Sequence, residues 1–172
     1  MTDDLRTTVE GWLEALGCKP VEQHDDATAW RLGFEYPVGT GHRMLVAGLG
    51  GSVSSIVVAS VVTLSPEHLE RFDELYDEDK RIFLSGLRRA LNRLEVDFRL
   101  AGMQGALSCP ASFQVSVRRF EGGLTLDAFA YSVGAVYKTE LDAVWYIQDS
   151  LASSEEGPVV HFDFNSSDLP QA

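Results

Sequence analysis

Only two cysteines occur in the 172 residues, Cys18 and Cys109, far apart and in no spacing that suits a metal. Each reads as a buried or partly buried free thiol rather than half of a disulfide, the usual state in a reducing compartment. No apolar run approaches the roughly 20 residues that span a bilayer. The longest, around Ile56–Leu64, is strand-sized and interrupted by Ser60. The first ten residues, MTDDLRTTVE, lack a basic start followed by an apolar block, so no secretory signal is read and the cytoplasm is the expected location. Positive charge is also scarce. Fourteen Lys and Arg stand against 26 Asp and Glu, a net charge of −12, which argues against a general nucleic-acid binder and suits solubility or basic partners.

Motifs for small-molecule chemistry are absent too. The four histidines, His24, His42, His68 and His161, fall in different segments with no HxxxH, HExxH or Cys–His pairing, each where a solvent-exposed histidine is ordinary, so neither a metal nor a cofactor is expected. Gly48–Leu49–Gly50–Gly51 follows a strand pattern, but a dinucleotide fingerprint needs a sixth-position glycine and a helix behind it. Here Val53 and another strand follow, so a hairpin turn is the reading. No Walker lysine and no GxSxG elbow is present, and Asp25–Asp26 reads as a turn pair. Trp12, Trp30 and Trp145 each fall on the apolar phase of their element and read as core.

What the chain does contain is strong periodicity. In Leu124–Leu151 the apolar residues Leu126, Phe129, Ala130, Val133, Val136, Tyr137, Leu141, Val144, Trp145 and Leu151 recur by threes and fours, predicting a long helix with one buried stripe. Asp127, Ser132, Lys138, Asp142 and Asp149 take the opposite face, and Thr125 stands at the cap. Asp4–Leu16 is a shorter amphipathic helix closed at Gly17. Trp30–Tyr36 alternates with a period of two, one face buried and one wet, and its charge suits a sheet edge. Arg43–Leu49 and Ser54–Leu64 read as further strands, the second apolar enough to be central. Ser65–Pro66–Glu67 opens a helix that a break near Asp77 divides before the periodicity resumes through Leu94. Two more strands, Val96–Leu100 and Phe113–Arg118, flank a loop at Ala101–Ala111.

The expectation is one α+β domain over residues 1–153, a twisted five-stranded antiparallel sheet with flanking helices in the order α-βββ-α-ββ-α. A C-terminal extension at 154–172 carries an edge strand at Val159–Phe164 and a frayed tail. Charge is unevenly spread: Lys80–Arg119 holds eight basic residues against two acids, a net +6, leaving −18 for the remainder. The plain reading of that basic segment is a solvated helix face paired with acidic surface elsewhere.

The element order, the size, the acidity and the Gly122–Gly123–Leu124–Thr125 turn before the last helix resemble the type III secretion chaperone-like fold and the YbjN-like proteins, over roughly Leu5 to Leu151. The resemblance implies a non-enzymatic protein-binding module, chaperone-like or regulatory, forming a homodimer and holding extended client segments against sheet edges and apolar patches. Trp12 and Leu16 on the first helix and Leu32 and Phe34 on the first strand are the residues it would use. The alternative class is a small-molecule binder or enzyme with a pocket between the sheet and the last helix, where Arg88, Arg99 or Arg118 would hold an anion. Arg88, Arg89, Arg99 and Arg118 are equally a patch for an acidic partner, with nucleic acid the less favoured use.

Overall fold

The computed structural model describes residues 2–24, 28–50, 54–93 and 95–151. The expected strand at Val159–Phe164, the tail beyond it, His161 and the Asp25–Asp26 pair lie outside these residues. Four α-helices and six strands follow in the order α1 (Thr2–Ala15), β1 (Val21–Glu22), β2 (Trp30–Glu35), β3 (Arg43–Leu49), β4 (Ser55–Thr63), α2 (Pro66–Glu74), α3 (Asp77–Leu91), β5 (Asp97–Ala101), β6 (Ser112–Phe120) and α4 (Leu126–Leu151).

The strands form one sheet in the order β1-β2-β3-β4-β6-β5. Antiparallel registers run through Glu22↔Leu32, Leu32↔Val46 and Val46↔Val58. The Leu64 amide donates to Ala111 where β4 ends and β6 begins, and the Glu121 amide donates to Ser54 where β6 ends and β4 begins, so this pair is antiparallel as well. The sheet thus has six strands rather than five. The addition, β1, is a two-residue exposed strand that no hydrophobic period could announce. It covers the outer side of β2, which is not an edge. Both faces of β2 are buried, Arg31 included, and the alternation of Trp30–Tyr36 does not mark a wet face. The true alternating edge is β5, exposed at Asp97, Arg99 and Ala101.

Backbone contacts group the chain into two compact units, and β4, β6 and α4 each contribute residues to both. One unit takes in the chain up to Ser60 together with Ser116–Tyr137. In it α1 buries Val9 and Leu13, the Trp12 ring packs 5.7 Å from that of Phe129, and the helix closes as a Schellman turn in which the Cys18 amide donates to Leu13 and that of Gly17 to Glu14. Arg6 binds both Glu10 and Glu22 at 2.9 Å, tying α1 to β1. Gly48 lies flat under the Trp30 indole, where an added Cβ would run into the ring nitrogen. His42 is buried edge-on to Tyr137 at 5.1 Å, not exposed as its sequence context suggests.

The other unit contains Val61–Val115 and α4 from Lys138. The expected break is present: α2 stops at Glu74 and α3 starts at Asp77, with Leu75 and Tyr76 extended between them. Phe72 of α2 meets Phe83 of α3 at 5.3 Å in an edge-to-face pair, and Phe83 lies 5.6 Å from Tyr146 of α4. The Tyr146 hydroxyl donates to the Phe83 carbonyl at 3.2 Å and rests over Gly86, a position where any side chain would collide with it. Arg93 pairs with Asp142.

Three residues of α4 depart from the helical-period reading, Leu126 of the apolar stripe being exposed at the start of the helix. Ser132, assigned to the wet face, is fully buried, its hydroxyl donating to the Ala128 carbonyl and accepting from Arg119 Nε. Trp145, assigned to the core, is 54% exposed. A helix of 26 residues turns 100° per residue, so a broad stripe has margins, and the surrounding packing decides which marginal residues are covered.

Candidate functional site

A concavity in the second unit opens where β4 passes into α2 beside the second half of α4. It is shallow and open to solvent, a cavity of about 10 Å3 between apolar walls of Val62, Leu64, Val144 and Ile147, with Thr63, Ser65, His68 and Gln148 supplying polar atoms. The Ser-Pro-Glu-His sequence builds its polar corner. Ser65 is the N-cap of α2, accepting from the His68 amide at 3.4 Å, and Pro66 occupies the first turn, where no amide is needed. This spacing brings the imidazole back onto the cap, with Ser65 Oγ 3.0 Å from His68 Nδ1. Partial burial, and then the charge of Arg71, hold the His68 pKa below its ordinary value. Arg71 in turn donates to the Leu151 carbonyl at 2.7 Å, satisfying an orphan acceptor at the end of α4.

A serine in contact with a histidine is the beginning of nucleophilic chemistry, but here the hydroxyl also serves as a helix cap. The cleft is smaller than the roughly 300–1,000 Å3 of typical ligand pockets. Arg88, Arg99 and Arg118 do not line it. Arg88 and Arg89 are exposed on the last turns of α3, Arg99 is exposed on the edge strand β5, and Arg118 is exposed near the end of β6. Among the described residues no group of three or more His, Cys, Asp or Glu is arranged to hold a metal. Both cysteines are free; burial raises the Cys18 thiol and pushes Cys109 up to about 12.

The four residues expected to hold a partner separate. Leu32 and Phe34 are core residues, because β2 lies inside the sheet and is covered on both faces. Trp12 and Leu16 are half-buried, Trp12 against Phe129. Among the large apolar side chains left in water, three belong to the end of β6 and the first turns of α4 in the first unit: Phe120 at 56%, Tyr131 at 56% and Leu126 at 39%. Arg119 sets its guanidinium over the Tyr131 ring at 6.0 Å while its Nε donates to Ser132. Arg118 and Phe120, two apart on β6, share a face of the strand. Sequence periodicity passes over Phe120, which ends a strand, and places Leu126 in the buried stripe. Ser65 is read from the sequence as an N-cap, whereas His68, expected to be an ordinary exposed histidine, turns back onto it three residues later.

The sheet, the helices and these exposed apolar side chains define a small α+β module with an open surface beside β6 and the start of α4. The chain belongs to the family of uncharacterized conserved proteins DUF2299, whose model matches residues 5–147. Its structure is similar to the crystal structure of an uncharacterized protein from Methanothermobacter thermautotrophicus, with 26% identity and a TM-score of 0.77 over 86% of this chain and 99% of that one. No curated protein matches it. The likeness to type III secretion chaperones and YbjN-like proteins is overturned by this membership; element order, size and acidity are shared by unrelated α+β proteins and carry no family signature.

Proposed function

We propose that this protein is a non-enzymatic protein-binding module that takes an apolar polypeptide segment carrying acidic residues. The observation behind this reading is the group Phe120, Leu126 and Tyr131, exposed together where β6 turns into α4, with Arg118 on the same strand face as Phe120. Large aromatic side chains in water, one stiffened by a cation over its ring, are what anchor protein partners. The basic Arg118 selects for acidic neighbours on the partner. Free cysteines agree with a reducing cytoplasm as the place of action. The test is affinity capture followed by quantitative mass spectrometry, comparing wild type with a Phe120→Ser, Tyr131→Ser double variant of unchanged melting temperature. A partner enriched by wild type and lost by the variant supports the module. Equal capture by both would refute it.

A second reading takes the cleft at Ser65 and His68 as a small-molecule site. A ligand screen by thermal shift separates the two. Stabilisation that disappears in Ser65→Ala and leaves Phe120→Ser untouched favours the cleft.

A further inference from the structure

The outward side of α3 has a pattern that neither reading uses. Its buried side carries Phe83, Leu84, Leu87 and Leu91. On the opposite side Glu78, Ile82, Ser85 and Arg89 are all exposed. At 100° per residue these four fall within about 60° of arc, one straight stripe of nearly three turns. The stripe begins with an acid, ends with a base, and has an apolar and a small residue between them. Reversed, it complements itself: Glu78 falls opposite Arg89, and Ile82 opposite Ser85.

We propose that α3 is the contact face of a homodimer, two copies of the helix packing antiparallel about a twofold axis. Two-fold symmetry makes every contact occur twice, so one stripe yields two Glu78–Arg89 pairs and two Ile82–Ser85 contacts. Acid at the start and base at the end of a helix also suit its dipole, which would explain the charges alone. The dipole does not account for Ile82, 62% exposed at the middle of the stripe, nor for a serine at the position symmetry requires to receive it. Among the described residues Glu78 and Arg89 have no ion pair within the chain, so each remains able to pair across the axis.

Such a face is small for a dimer interface and partly electrostatic, so the association is weak and sensitive to salt. The proposal is independent of the Phe120–Tyr131 surface, which the test leaves unaltered. Sedimentation velocity of the full chain over a concentration series, at low salt and at about 0.5 M NaCl, reads it directly. Wild type should dimerise at low salt, with a dissociation constant about tenfold or more higher at high salt. Glu78→Arg and Arg89→Glu, both surface changes checked for unaltered melting, should each associate at least about tenfold more weakly, because each places like charges face to face. Mixed in equal amounts they should recover dimer, since one chain then carries a base at both ends of the stripe and the other an acid at both, and every opposed pair is of unlike sign. A monomeric wild type at low salt, variants that dimerise as wild type does, or a mixture that fails to recover would each overturn the proposal.

Discussion

At the residue scale, close packing carries more consequence than charge. Gly48 is in β3 because the Trp30 indole occupies the space a side chain would take, and Trp30 is itself buried. Gly48→Ala should lower stability by about 1–3 kcal/mol, the cost of overpacking a rigid ring, measured by urea denaturation. Trp30→Leu combined with Gly48→Ala should cost less than the sum of the two single changes. His68 makes stability depend on pH near neutrality. Its folded pKa lies below the ordinary 6.5, mainly through burial. Both states are neutral above that value. As pH falls through it the unfolded chain takes up the proton first and stability declines, levelling once the folded form is also protonated. His68→Gln should therefore show a shallower fall in melting temperature between about pH 7 and 5 than wild type. The histidine at this position was visible in the sequence, but its lowered pKa was not, since desolvation comes from neighbours far away in the chain.

At the element scale, helices were legible and their margins were not. The cap and proline at Ser65–Pro66 and the division before Asp77 are local chemistry, and both are present. Ser65→Ala should destabilise by about 1 kcal/mol, through loss of the cap, in thermal or urea unfolding. The centre of the long stripe in α4 is equally secure. Val133 is fully buried, and Val133→Asp should abolish the cooperative melt seen by circular dichroism, because an unpaired buried charge costs several kcal/mol against a total stability of about 5–15 kcal/mol. Trp145 and Ser132 show where the same reasoning stops. Periodicity orders residues around a helix, but the width of the covered arc depends on what lies against it. For strands the ambiguity is larger: a period of two is compatible with an edge or with a strand buried on both faces, and β2 is the second kind.

At the scale of the whole molecule, β4, β6 and α4 each divide their residues between the two compact units, so no linker separates them. Unfolding followed by circular dichroism and by tryptophan fluorescence should therefore coincide in one transition, with Trp12 and Trp30 reporting on one unit and Trp145 on the other. Two resolved transitions would show that the units melt separately. The sequence by itself determined the α+β class, the helices with their caps and the net acidity, because those depend on neighbours within a few residues. Only the tertiary structure decided that Leu32 and Phe34 are core, that Phe120, Tyr131 and Trp145 meet water, that the basic residues do not line the cleft, and that the sheet has a sixth strand. Each of those depends on which segment comes to lie against which, a long-range matter that local periodicity does not encode.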